Sequence, residues 1–185
     1  MALAPGSIAF VGFNADGNDN IAFVALETLP TGTVIFFQDN EWSGTEFNTG
    51  ESAWSWTATA DVAAGTVVRI DNIGGALPSD IATNIGTATF VDTTNRGVSG
   101  SDEILYAFIG PNATTPTAFL TAFANNALTS GASLDGTGLT AGVNAMSRYA
   151  ENQADFALLD AARSIPARSI VSSAGARVMR ASAGR

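Results

Sequence analysis

Cysteine, histidine and lysine are all absent from the chain, and its eight basic residues are all arginine. Without cysteine there is no disulfide framework, no thiolate nucleophile and no zinc site of the cysteine type. Without histidine the commonest general base and the commonest imidazole ligand are gone. Without lysine, Schiff-base chemistry and the phosphate-holding lysine of a P-loop are excluded. Carboxylates, hydroxyls, amides and arginine remain, and the chain reads as a non-enzyme. Long apolar runs are missing too. No segment reaches the roughly 18 consecutive apolar residues of a membrane helix, so membrane insertion is not expected. The opening Met1 to Gly6 shows neither a charged n-region nor a long apolar h-region, and no secretory signal is read there.

What is present is a chain of 185 residues, 46% hydrophobic and only 14% charged. That length suits one domain, the usual range being about 100–200 residues. The net charge of −9 is unevenly spread. All 17 acidic residues lie at or before Asp160, offset there only by Arg69, Arg96 and Arg148, so the body stands at −14. From Arg163 to Arg185 there are five arginines and no acid, a segment of +5. An acidic body argues against nucleic acid, whose phosphates need clustered cations, and favours metal cations or basic partners.

The body reads as β-rich. Ser7 to Phe13 and Ile21 to Glu27 are short apolar runs around an Asn/Asp/Gly cluster, the pattern of a hairpin or sharp corner. Thr33 to Gln38 is apolar on both faces, as a central strand is. Ala53 to Thr57 alternates strictly, and Thr66 to Ile70 follows. Further strands are expected at Ala88 to Val91, Glu103 to Ile109 and Val143 to Tyr149. One stretch differs: Pro116 to Asn126 places Phe119, Leu120 and Phe123 at helical spacing, with Pro near its start and Asn near its stop, and predicts one short helix. An apolar-x-x-Gly-Thr-Val pattern occurs at Leu29 to Val34 and again at Val62 to Val67, a reused turn feeding a buried strand. Short strands separated by such turns favour a β-sandwich.

The strongest polar constellation is Asn14-Ala15-Asp16-Gly17-Asn18-Asp19-Asn20. Oxygen-bearing side chains alternating around a glycine can wrap a hard cation such as Ca²⁺, which takes 6–8 oxygen ligands. The spacing is not that of an EF-hand. Asp39-Asn40-Glu41-Trp42, directly after a buried strand, is the second constellation, with Glu46, Glu51, Asp102 and Glu103 completing the acidic inventory. If the first turn and the Asp39 corner lie at one end of the sandwich, then Asn14, Asp16, Asn18, Asp19, Asp39 and Glu41 form a Ca²⁺ site. The competing reading is ordinary turn chemistry, the commoner use of such clusters. Asp39 and Glu41 as a glycosidase pair would need a defined separation that sequence does not supply. Trp42, Trp54 and Trp56 are either packing residues or a platform for sugar rings.

Phe10-Val11-Gly12-Phe13-Asn14-Ala15-Asp16-Gly17, followed by Phe23-Val24-Ala25-Leu26 and Asp39-Asn40-Glu41-Trp42, resembles a domain common in large bacterial surface and secreted proteins. The layout is also similar to the lamin-tail type of immunoglobulin-like sandwich, with Gly100 to Ala107 fitting a later strand. The resemblance covers about residues 7–160 and implies a non-catalytic structural role at the cell surface or outside the cell. The expectation is therefore a mainly β, immunoglobulin-like or lamin-tail-like β-sandwich over 1–162, with one short helix and an extended basic arm over 163–185. Its expected function is self-assembly into a fibre, surface layer or matrix, with Ca²⁺ as the cofactor considered and the arm docking on a neighbouring copy. The alternative is a carbohydrate-binding or adhesive module with surface glycans as partners.

Overall fold

The computed structural model describes residues 2–125, 128, 134–147 and the backbone of 156–158. The basic arm, the 162/163 boundary and Tyr149 lie outside the described residues. Eleven strands follow in order: β1 (Ile8–Asn14), β2 (Asn20–Ala25), β3 (Val34–Gln38), β4 (Ala53–Thr57), β5 (Val67–Asp71), β6 (Ala82–Thr83), β7 (Thr87–Asp92), β8 (Ile104–Ile109), β9 (Ala118–Ala124), β10 (Ala145–Ser147) and β11 (Phe156–Leu158). A five-stranded sheet runs β11-β1-β2-β5-β6 and a six-stranded sheet runs β10-β9-β8-β3-β4-β7. The fold is mainly β, a two-sheet sandwich. Neighbouring strands are antiparallel except β9 and β10. Among the described residues no helix is long and apolar enough to cross a membrane.

The facing sides of the sheets supply one aromatic-rich core: Phe10, Phe13 and Phe23 from one sheet meet Phe37, Trp54, Trp56 and Phe123 from the other. Phe37 stacks on Trp54 at 5.8 Å and also touches Phe10 and Phe23. A second cluster lies on the outer face of the six-stranded sheet, where Phe36, Tyr106, Phe108 and Phe119 are covered by Trp42, Phe47 and Leu139. The middle strands β3, β8 and β9 are thus buried on both faces, which is why they read as unbroken apolar runs.

The expected helix at 116–126 is instead strand β9, and the reason lies in its pairing with β8. Phe108 faces Phe119 while Ala107 faces Thr121, so Leu120 is an extra, bulged residue. A bulge turns the strand's two-residue repeat locally into three. It places Leu120 and Phe123 together in the central core and Phe119 in the outer cluster. That spacing imitates a helix. A second bulge at Val11 of β1 does the same for Phe10 and Phe13.

The two Gly-Thr-Val turns pair with each other. Leu29 N donates to Val62 O and Val62 N to Leu29 O, each at 2.9 Å, and Gly32 and Gly65 have φ of 82° and 87°. Only glycine enters that left-handed region without strain. Replacing Phe37 by alanine removes a ring with no accessible surface that joins both sheets. Urea unfolding should then show a stability loss of about 3–5 kcal/mol, and a loss below ~1 kcal/mol would place the core elsewhere.

Candidate functional site

Antiparallel register carries three acidic residues to one end of the six-stranded sheet. Gln38, the last residue of β3, pairs with Ala53 at the start of β4 and with Tyr106 near the start of β8. Asp39, Glu51 and Glu103 flank those three strand ends, far apart in sequence and adjacent in space. Each offers a carboxylate oxygen, and these oxygens all lie within 4.8 Å of one another. Ca²⁺ bonds oxygen at about 2.3–2.6 Å, so a single ion can touch all three.

The three groups are positioned by the backbone and by amides. Asn40 Nδ2 donates to Glu51 O at 3.1 Å and Asn40 Oδ1 accepts from Glu51 N at 3.0 Å, closing the loop between β3 and β4. Asn40 is in turn held by Gln38 Oε1 at 2.8 Å, and Gln38 Nε2 donates to Ala113 O at 2.9 Å. Glu103 accepts from Ser99 N at 2.7 Å, and Asn125 brackets it by accepting from its N–H and donating to Ser99 O. The Asp39 and Glu103 side chains are hydrogen-bonded to each other. Asp39 is only 3% exposed, yet its Oδ1 has no hydrogen-bond partner, and neither has the buried Glu51 Oε2.

A cavity of about 210 Å³ opens on this trio, and Asp19, Arg96 and Val98 also line it. Asp19 comes from the β1–β2 turn of the other sheet. Its Oδ2 accepts from Val98 N at 3.0 Å and fixes the loop leading into β8. A Cβ at Gly74 or Gly97 would stand 2.7 Å from Asp19 Oδ2, so a larger residue at either position would displace that carboxylate. Among the described residues Arg96 is the only cationic side chain on the wall, but its Nη2 is directed to Gly75 O at 3.0 Å and Ala76 O at 2.9 Å. The one salt bridge among the described residues is Arg69–Asp71. Among the described residues, therefore, no cation is paired with these carboxylates.

Burial raises the carboxyl of Asp39 well above the usual range, and the neighbouring Glu103 charge adds to this. Burial likewise pushes Glu103 up to about 7, partly opposed by the Ser99 N–H. Glu51 and Asp19 are raised for the same first reason. An oxygen-only, desolvated, anionic pocket is the donor set of a hard cation, and its lack of nitrogen and sulfur disfavours softer transition metals.

Of the six residues expected to hold Ca²⁺, Asp19 and Asp39 meet at this cavity, joined by Glu51 and Glu103. The others lie apart from it. Asn14 folds onto Asp16, with Nδ2 donating to Asp16 O at 2.9 Å, which is turn chemistry. Asn18 Nδ2 reaches Asn72 Oδ1 at 3.3 Å, and the exposed Glu41 is bonded by Asn48 Nδ2. Glu51 and Glu103 were within the acidic inventory, but only strand register singles them out. Trp42, Trp54 and Trp56 are 7%, 0% and 0% exposed, so no indole presents a free face to a sugar ring. Comparison with protein-family models, curated proteins and solved structures finds no match to the chain.

Raised carboxyls have a definite effect on stability. Between pH 4.5 and about 7, the folded chain keeps on Glu103 a proton that the unfolded chain releases, so stability falls as pH rises through this window. In EDTA the melting temperature should be about 5 °C lower at pH 8 than at pH 5, with E103Q reducing the slope and the buried Asp39 leaving a remainder. A flat or rising profile in the unsubstituted protein would contradict this environment.

Proposed function

We propose that the chain is a non-catalytic structural module in which Ca²⁺ closes one end of a β-sandwich. The observation that carries this reading is the pair of buried, unpartnered oxygens, Asp39 Oδ1 and Glu51 Oε2, set beside Glu103 with no counter-charge among the described residues. Burying an unpaired carboxylate costs several kcal/mol, so such groups are normally paired or bound to metal. One divalent ion supplies the missing charge and an acceptor-free partner for both oxygens. The cavity leaves room for water or further oxygen ligands to complete its coordination.

The wider setting follows from the sequence. The likeness to domains of bacterial surface and secreted proteins supports a place outside the cell, where Ca²⁺ is plentiful. The split between a −14 body and a +5 C-terminal segment supports self-association into a fibre, layer or matrix.

Isothermal titration should detect one Ca²⁺ per chain with Kd of about 10⁻⁴ M, the range of extracellular modules. At about 10 mM Ca²⁺ the melting temperature should rise by roughly 5–10 °C over the EDTA value. Asp39→Asn should weaken binding at least about tenfold. The absence of both heat and thermal shift in the unsubstituted protein overturns the reading.

A further inference from the structure

The six-stranded sheet ends in β7, and among the described residues this strand pairs with β4 alone. From the hydrogen-bond phase of that edge and the side chains along it, we infer that β7 pairs antiparallel with β7 of a second copy, about a two-fold axis at Thr89. The inference rests on the self-association part of the reading above and deepens it by naming the surface and its symmetry.

The phase follows from the neighbouring ladder. Ala58 N donates to Thr33 O at 2.9 Å and Ala58 O accepts from Gly32 N at 2.8 Å, so both main-chain groups of Ala58 face the β3 side. The direction of these groups alternates along a strand. Thr57 and Ser55 therefore turn theirs toward β7, where they lie opposite Thr87 and Thr89. Ser52 O, which accepts from Asp39 N at 3.3 Å on the β3 side, gives the same phase at the other end of β4. The N–H and C=O of Thr87 and Thr89 are thus spent on β4, and those of Ala88 and Phe90 point off the sheet. Neither of these two forms a backbone hydrogen bond to any described residue outside the ladder.

Sheet edges are normally kept very short, or blunted by proline, lysine or an inward charge. The edge strands β6, β10 and β11 have two or three residues each. β7 has six, and from Thr87 to Val91 it carries neither charge nor proline. Its bulge, at Val91, leaves Thr87–Phe90 regular. Ala88 and Phe90 are also only partly buried, packed on the core with the similarly half-covered Ile81 and Ile85. The same two residues therefore lack both backbone partners and full side-chain cover.

A second copy answers both needs. A two-fold axis normal to the sheet keeps core-facing residues opposite core-facing residues. Centred on Thr89, it sets Phe90 against Ala88 of the other copy, large against small, and both such pairs exchange their free main-chain bonds. Moving the axis to Phe90 would drive the two rings together, and moving it to Ala88 would leave Phe90 over Gly86. Like charges facing each other across a seam repel, and the chain carries a net −9. The seam meets that difficulty by being uncharged, with Asp92 lying beyond it.

The test is sedimentation velocity on the full chain across roughly 1–200 μM. About 0.15 M NaCl screens the acidic bodies beyond roughly 8 Å but leaves adjacent charges in contact. A dimer is expected. Ala88→Pro removes an N–H that β4 does not use, so the dilute protein should keep its melting temperature to within about 3 °C. The same variant should weaken the dimer at least about tenfold. Thr89→Lys and Thr89→Glu each set like charges across the axis and should each weaken it at least about fivefold. An equimolar mixture of the two should recover the original affinity to within about threefold, because opposite charges then meet. Thr89 is exposed, so the charge variants test the seam even where proline disturbs β7. A monomer at every concentration overturns the self-association reading and this inference together, leaving the edge to a strand of a different protein. Oligomers indifferent to all three substitutions, or charge variants that the mixture fails to rescue, overturn the β7 pairing while self-association stands.

Discussion

Phe36, Tyr106, Phe108 and Phe119 stand on the side of the six-stranded sheet turned away from the sandwich core, and their burial governs much of the rest. A sheet with one aromatic face inward and another outward must be covered twice. The outer cover is made by Trp42 and Phe47, which lie in the loop joining β3 to β4. Trp42 meets Phe119 at 5.0 Å, Phe47 meets Phe108 at 5.4 Å, and the indole N–H is anchored on Asp135 O at 2.8 Å. A loop folded back in this way returns to β4 beside its own starting point. Glu51 is thereby carried next to Asp39, under apolar cover. The carboxylate site is in this sense a by-product of hiding the outer aromatic face.

The chain's unusual residue vocabulary acquires a physical meaning at that site. With no lysine or histidine available, and Arg96 committed to two backbone carbonyls, nothing in the described residues neutralises the trio. Protonation and cation binding are two ways to discharge it. Burial favours the first, lifting Glu103 to about 7 and Asp39 well above the usual carboxylate range. The second supplies the charge without disturbing the hydrogen bonds that hold the strand ends.

Most strands were legible in the sequence because each is bounded by turn residues and enriched in β-branched or aromatic side chains. The observed β1 to β5, β7 and β8 fall within two residues of the expected runs. β9 was not legible as a strand, since the bulge at Leu120 gives it the three-residue spacing of a helix, and a bulge depends on the partner strand. The two-residue β6 has too little sequence to carry a pattern. At the site, Asp19 and Asp39 stood out because Asp beside Asn and Gly is conspicuous. Glu51 and Glu103 did not, because their importance arises from the pairing of β3 with β4 and β8. Asn14 looks like a ligand in one dimension, but in three its side chain closes the turn onto the Asp16 backbone, while Asn18 reaches Asn72.

The Asp19 carboxylate joins Val98, 79 residues further along the chain, and so closes a long loop between the two sheets. A disulfide across such a loop would also restrict the unfolded chain, whereas this hydrogen bond acts in the folded state alone. This chain has no cysteine with which to make one. An acidic side chain, Asp19, reaches across that distance instead, and the proposed ion between Asp39 and Glu103 would extend the same device. Such a bridge would be set by ion concentration and indifferent to redox state, so the module could be tightened or released without breaking a covalent bond.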